Sequence, residues 1–408
     1  LHRVDRRQRQ MCIRDSEKTA YVNFDNNARM KQVFEGDLDI ERLVLSISAE
    51  TGVSIEAENT LIIFDEVQEV PKALTSLKYF YENAPQYAIV AAGSLLGVAL
   101  HQGTSFPVGK VDFLDLYPLN FREFLCAMGE KQFVSMLDSC DTQMVTVFKT
   151  KYIERLREYY FVGGMPEVVK DFSEKKDYNR VRAIQKNLIN YYQQDFSKHA
   201  EIKLVPRLNL VWNSIPMQLA KENKKYIYGQ VREGSRAKDF ELAIQWLLDC
   251  GLIHKVQRIQ KPDLPLKAYI DFDAFKLFLV DIGLLIAMTD LDAKVIIEGN
   301  KIFTEFKGSL TEQYILQQLI SDVGVIPYYY STQNSKGEID FLVQGKTSVI
   351  PIEVKAEENL KAKSLKAFCE KYQPSYAVRT SMSDYREQDW MTNIPLYAIK
   401  WIENYVNQ

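Results

Sequence analysis

Apolar positions recur along this chain with two periods, near two and near 3.6 residues, and their alternation lays out the elements. Ala20-Tyr21-Val22-Asn23-Phe24 predicts a short strand, and residues 39–52 place Ile40, Leu43, Val44 and Ile47 at helical spacing. Leu61-Ile62-Ile63-Phe64 is an uninterrupted apolar run, as in a strand buried on both faces, and it ends at once in Asp65-Glu66. A helix over 71–82 follows, with Pro71 suited to a first turn, then a strand over 87–92 and a fourth over 111–116. Strands alternating with helices predict a parallel sheet that meets its ligand at the C-terminal ends of the strands.

Beyond residue 120 the strand pattern gives way to helical spacing as far as 228, broken at Gly163-Gly164-Met165-Pro166. One helix is expected over 205–222 and another over 236–250, where Phe240, Ile244, Leu247 and Leu248 share a face and Gly251 caps the end. Residues 252–259 and 266–278 then read as a strand pair. Helix, turn, helix and hairpin is the outline of a winged helix. The remainder predicts a helix over 306–321 and a strand over 326–331. A hairpin of 338–343 and 348–354 follows around Gln344-Gly345-Lys346, then a helix over 360–372 and a strand over 375–379. No internal repeat or low-complexity tract occurs.

Length adds that 408 residues exceed one ordinary core, so two or three domains are expected. Apolar residues make up 46% and charged residues 26%, an ordinary globular balance. No apolar run approaches the roughly 20 residues of a membrane span and no signal-peptide pattern occurs, so no membrane association is expected. Cys12, Cys126, Cys140, Cys250 and Cys369 are scattered without close pairing, which predicts reduced thiols and a cytoplasmic location. The net charge of -3 is uneven: residues 151–260 hold 20 Lys and Arg against 13 Asp and Glu. That excess fits a polyanionic partner such as DNA, and equally a set of solvated helix faces. Residues 1–16 carry five arginines and no apolar periodicity, and read as a non-native leader on an N-terminally truncated chain; the alternative is a disordered basic tail.

Asp65 and Glu66 close the central strand. One acid there suits a magnesium ion and the other an attacking water, the arrangement of nucleotide hydrolases. The next strand ends Ala92-Gly93-Ser94, and a Ser94 hydroxyl at the same edge is placed to sense a γ-phosphate. A strand running into an acidic turn is the plainer alternative. Residues 61–68 with Val70-Pro71-Lys72-Ala73-Leu74 resemble the Walker B region of a bacterial and archaeal AAA+-like P-loop ATPase family. Residues 91–96, 106–124, Val162-Gly163-Gly164-Met165-Pro166-Glu167 and Asp281-Ile282-Gly283-Leu284-Leu285 are similar to its later blocks. The resemblance runs from about residue 18 to the C-terminus. It implies ATP and Mg²⁺ as cofactors, Asp65 as the magnesium-coordinating acid, Glu66 as the catalytic carboxylate and Ser94 as the sensor. The family's Gly-rich loop ending Gly-Lys-Ser/Thr is missing from the chain. Backbone N–H groups and that Lys supply most of the phosphate affinity, so weak ATP binding is expected. Lys110 and Arg122 are candidate arginine-finger residues, or else solvated basic side chains.

The C-terminal hairpin carries a second set. Asp340 lies on one strand, Glu353 and Lys355 lie two apart on one face of the other, and Glu312 lies on the preceding helix. Glu, Asp and Glu-x-Lys match the PD-(D/E)XK nuclease constellation: two acids, Asp340 and Glu353, hold a divalent metal, and a Lys stabilises the water or developing charge. Tyr328-Tyr329-Tyr330 offers stacking surface for bases, though packing is the commoner use. The alternative is a hairpin with one solvated charged face that includes Glu338. His2, His101, His199 and His254 have no metal-ligand spacing.

The expected fold class is therefore α/β. Residues 17–135 form a P-loop (AAA+-like) parallel-sheet core, residues 136–295 a helical and winged-helix middle, and residues 296–408 a restriction-endonuclease-like α/β domain. The expected function is ATP hydrolysis coupled to DNA, with a homo-oligomer possible. The alternatives are a DNA-binding or Mg²⁺-dependent nuclease-like protein and a non-catalytic fragment.

Overall fold

Among the described residues, eleven strands divide into two separate sheets. The structure, a computed structural model, describes residues 16–93, 109–221, 225–297, 304–332, 337–357 and 362–408. Two compact units result: one up to Leu116, and one from Tyr117 to Gln408 less Asp249–Gly251, which group with the first. The sequence reading places the first domain boundary later, at 135/136.

The first unit is built on three parallel strands, β1 (Lys18–Asn23), β2 (Thr60–Asp65) and β3 (Ala88–Ala91), with β2 in the centre. The helix Ala28–Glu35 starts where the Asn27 side chain accepts from Met30 N. The helix Ile40–Thr51 starts at Asp39 and stops at Gly52, whose φ of +69° suits glycine. Pro71 opens the helix Pro71–Asn83. Phe24, Phe34 and Phe64 meet edge to face, with centroids 5.2–5.6 Å apart. Each is fully buried, worth roughly 1.5–3 kcal/mol of transfer free energy apiece. The strand expected over 111–116 does not form. These residues take no ladder partner among the described residues, and Phe113, Leu114 and Leu116 are left exposed. Apolar alternation supplied the pattern, but a strand also needs a neighbour for its N–H and C=O groups.

The second unit combines helices between Phe121 and Ala220 with an eight-stranded mixed sheet. Its strands are β4 (Ile253–Ile259), β5 (Ile270–Leu279), β6 (Tyr328–Ser331), β7 (Glu338–Gln344), β8 (Val349–Val354), β9 (Val378–Ser381), β10 (Arg386–Gln388) and β11 (Met391–Pro395). Their order is β10-β11-β9-β8-β7-β6-β4-β5. The expected helix over 205–222 is Val205–Ala220. The one expected over 236–250 is broken at Phe240, because Asp239 Oδ2 accepts from Arg236 N at 2.8 Å and closes a 3-10 turn before the helix Glu241–Asp249. The strand expected from 266 begins only at Ile270, after a 3-10 turn at Leu266–Tyr269. The β4–β5 pair is not a free-standing wing: β4 joins β6 in parallel and extends the C-terminal sheet.

The helix Thr304–Gln318 runs through the middle of this unit and carries buried polar residues on several faces. Gln313 exchanges two hydrogen bonds with the Leu279 backbone, and Gln318 Oε1 accepts from Phe121 N. Gln317 Nε2 donates to Tyr159 at 3.0 Å and to Asp281 at 3.3 Å. Asp281 is fully buried and accepts from Gly164 N at 2.6 Å and Leu284 N at 3.0 Å. The two glycine-bearing segments singled out in the sequence therefore meet around one carboxylate. Burial pushes the Asp281 carboxyl above the ordinary range, against hydrogen bonds from Gly164, Leu284 and Gln317 that pull it back.

Candidate active sites

In the first unit the strands finish together, as a parallel register requires. Asn23 lies beside Asp65, Phe24 N donates to Asp65 O, and Val67 N donates to Ala92 O. Asp65 is engaged on both oxygens. Oδ1 accepts from Glu66 N at 3.0 Å, and Oδ2 accepts from the Tyr21 hydroxyl and, at 3.4 Å, from Asn23 Nδ2. The bond to Asp65 raises the pKa of the exposed Tyr21 phenol. The Asp65 carboxylate is the oxygen ligand at this edge that suits a hard cation taking one or two protein carboxylates beside substrate phosphates. Glu66 sits at φ +51°, ψ +43°, and Gln68 Nε2 donates to its carboxylate. A non-glycine residue in that region is strained by roughly 1–2 kcal/mol. Glu66→Gly is accordingly expected to leave the first unit as stable or about 1 kcal/mol more stable while removing the carboxylate. Chemical denaturation showing a clear loss of stability would contradict the strain. Ser94 lies outside the described residues.

Lys110 pairs with Glu82 at 3.5 Å and lies over the Tyr81 ring. Arg122, half-buried, binds Asp138 and, at 2.9 Å, Asp322. The expectation that both are solvated fails for Arg122, which ties the helix Phe121–Ala127 to the turn after Gln318.

The second unit does gather its expected set. Glu312, Asp340, Glu353 and Lys355 line one cavity of about 460 Å³, together with Lys276 and Glu338. Three elements deliver the four expected residues: the Thr304–Gln318 helix, β7, and β8 with the residue just past its end. The β7–β8 ladder runs only from Gln344↔Val349 to Phe341↔Ile352. Beyond it the Asp340 side chain replaces the backbone, accepting from Val354 N at 2.6 Å. Lys355 N turns instead to Thr380 O at 2.8 Å, which carries Glu353 and Lys355 onto one face.

The electrostatics are those of crowded carboxylates with two internal cations. Glu353 is 5% exposed; Oε1 pairs with Lys355 Nζ at 2.7 Å, and Oε2 is buried without a hydrogen-bond partner. Burial, with repulsion from Glu312 and Glu353, pushes the Asp340 carboxyl well above its ordinary range. Burial works against the Lys355 ammonium, but Glu353, Asp340 and Glu312 overcome it and raise its pKa. An orphaned carboxylate oxygen in an all-oxygen set fits a divalent metal ion. No group of three His, Cys, Asp or Glu side chains among the described residues is arranged to hold an ion alone. Two protein carboxylates, with substrate oxygens and water completing the shell, is the arrangement the donors allow.

Several participants were not read from the sequence. Lys276 betrays itself only as a lone cation within Ala274-Phe275-Lys276-Leu277-Phe278-Leu279. Arg379, fully buried on β9, is the register partner of Glu353 and donates through Nε to Asn393 at 2.9 Å. Tyr328, Tyr329 and Tyr330 are buried, so their role is packing.

Comparison with known proteins gives three matches to family models. Residues 6–125 match an AAA domain, residues 153–295 a domain of unknown function (DUF8612), and residues 307–399 another domain of unknown function (DUF4143). The AAA match spans the whole three-stranded sheet and supports an AAA+-like P-loop core. No curated protein matches the chain. Among solved structures, the chain is similar to the Orc1 protein of Aeropyrum pernix in complex with DNA, at 13% identity over 67% of this chain and 77% of that one. Its TM-score of 0.25 is too slight to bear on fold or function. No helix among the described residues is long and apolar enough to cross a membrane.

Proposed function

We propose that the chain joins an AAA+-like nucleotide module to a metal-dependent phosphodiesterase site of the PD-(D/E)XK kind that acts on DNA. The observation that carries this reading is the convergence of Glu312, Asp340, Glu353 and Lys355 on one cavity, with Glu353 Oε2 buried and unpartnered. Asp340 and Glu353 would hold Mg²⁺, which supplies Lewis acidity and a more acidic bound water. Lys355, paired with Glu353, would orient that water and balance charge growing on the phosphate. Glu312 adds a further acceptor for water. The basic excess of residues 151–260 and the helix–turn–helix order before β4 support contact with DNA phosphates. Mg²⁺- or Mn²⁺-dependent cleavage of DNA is the expected result, reduced on the order of 10³-fold in Glu353→Ala, about 4 kcal/mol of barrier. DNA left intact with every metal tested would reject the reading.

A second reading rests on the AAA match and the edge formed by Asp65 and Glu66: ATP is the module's nucleotide, with Asp65 on Mg²⁺, Glu66 aligning water and Ser94 as sensor. The 408-residue sequence contains no Gly-x-x-x-x-Gly-Lys-Ser/Thr loop; its one Gly-Lys-Thr, Gly345-Lys346-Thr347, lies in the turn between β7 and β8. Titration of this polypeptide with Mg-ATP should therefore show no sub-millimolar binding, and binding tighter than that would refute the dependence on such a loop.

A further inference from the structure

We propose that Lys276 holds the position of a second cation in the cavity, so that the site takes one divalent ion and not two. The inference rests on the phosphodiesterase reading and concerns how its carboxylates are shared. Lys276 comes from β5, ahead of the C-terminal carboxylates, and is 9% exposed. Its Nζ lies 2.7 Å from Glu338 Oε1 and 3.4 Å from Glu312 Oε2, with the Tyr329 ring centroid 5.4 Å away on another side. The four acids are thereby sorted. Glu312 and Glu338 share the Lys276 ammonium, whereas Asp340 is bound by one backbone N–H and Glu353, paired with Lys355 through Oε1 alone, keeps Oε2 buried with no partner.

Two-metal phosphodiesterases place their ions about 3.5–4 Å apart, each drawing on shared carboxylates. Here the acids beyond Asp340 and Glu353 are committed to a cation supplied by the chain. Burial alone would strip the charge from Lys276, yet Glu312, Glu338 and Asp340 raise its pKa. A divalent ion entering beside Glu312 would have to expel an ammonium already ion-paired to two carboxylates. An ion entering beside Glu353 Oε2 displaces no ion pair from that oxygen.

The test counts Mn²⁺ bound to the full chain by calorimetry and electron paramagnetic resonance, in an Asp65→Asn background so that only the cavity reports. One uncoupled Mn²⁺ per chain is expected, lost in Glu353→Gln. Lys276→Gln should take up a second Mn²⁺, and Glu312→Gln added to it should remove that ion again. A spin-coupled Mn²⁺ pair when Lys276 is intact, or a single ion persisting in folded Lys276→Gln, overturns the assignment and leaves the phosphodiesterase reading in place. No Mn²⁺ at all when Lys276 is intact overturns both. The count with Lys276 intact decides even if Lys276→Gln does not fold.

Discussion

Asp340→Asn is expected to abolish cleavage and, in metal-free buffer at neutral pH, to raise the melting temperature of the second unit. The side chain is held by Val354 N, which an amide oxygen accepts as well as a carboxylate does. What the substitution removes is a buried negative charge facing Glu312 and Glu353, the cause of the raised pKa. The sign follows from linkage. A carboxyl whose folded pKa exceeds its unfolded value binds more protons in the native state, so its contribution to stability falls as pH rises from the unfolded to the folded pKa. Above that window the cost of ionised Asp340 is fully present; near pH 4 and below it is gone. The advantage of the Asn variant should therefore grow as pH rises through that window and shrink on acidification. Relief of such strain at a functional site is worth about 0.5–2 kcal/mol, a rise of a few degrees. Adding Mg²⁺ should reverse the ranking, because an ion that binds only the native Asp340 form stabilises it by mass action. A melting temperature lower than that of the parent chain in metal-free buffer would show that Asp340 is held by interactions beyond the Val354 bond.

How much of this was legible in the sequence depended on distance along the chain. The run Leu61-Ile62-Ile63-Phe64 and its acidic end could be read because a buried strand announces itself in consecutive residues. The 338–354 hairpin with its Asp340, Glu353 and Lys355 was legible for the same reason, since period two assigns them to faces. Residues 111–116 carry the same kind of pattern and form no strand, because pattern records the face and not the partner. Lys276 was out of reach: its partners lie 36 and 62 residues later, and nothing local distinguishes an ion-paired lysine in an apolar run from an edge residue. The partner of Arg122 is likewise distant, since Asp322 comes 200 residues after it. The Gly163-Gly164 and Asp281-Ile282-Gly283 segments were visible as separate blocks. Their meeting was not, and it is the feature with the largest structural consequence.

Gly164→Ala should unfold or grossly destabilise the second unit, by about 3 kcal/mol or more. A Cβ there would lie 2.1 Å from Leu119 O and 2.8 Å from Leu119 N, and both are backbone atoms that cannot swing aside. Leu119 is itself fixed, donating to Gly164 O at 2.7 Å and accepting from the Tyr159 hydroxyl at 2.6 Å. Gly163 faces the same crowding, 2.2 Å from Asp281 Oδ1, at a φ of +74°. If the segments parted, the fully buried Asp281 carboxylate would lose its Gly164 donor, and an under-satisfied buried charge is among the most costly defects. The control is Gly229→Ala, where a Cβ meets nothing within 4 Å, and stability should change by less than about 1 kcal/mol. Equal melting curves for the two variants would show that the contact at Leu119 yields. The consequence extends to chemistry, because the helix that lends Gln317 to Asp281 also presents Glu312 to the cavity, only five residues earlier. A milder lesion at the same junction, Gln317→Leu, should therefore leave the unit folded while lowering cleavage and Mn²⁺ affinity together; cleavage and affinity both unchanged would separate the junction from the site.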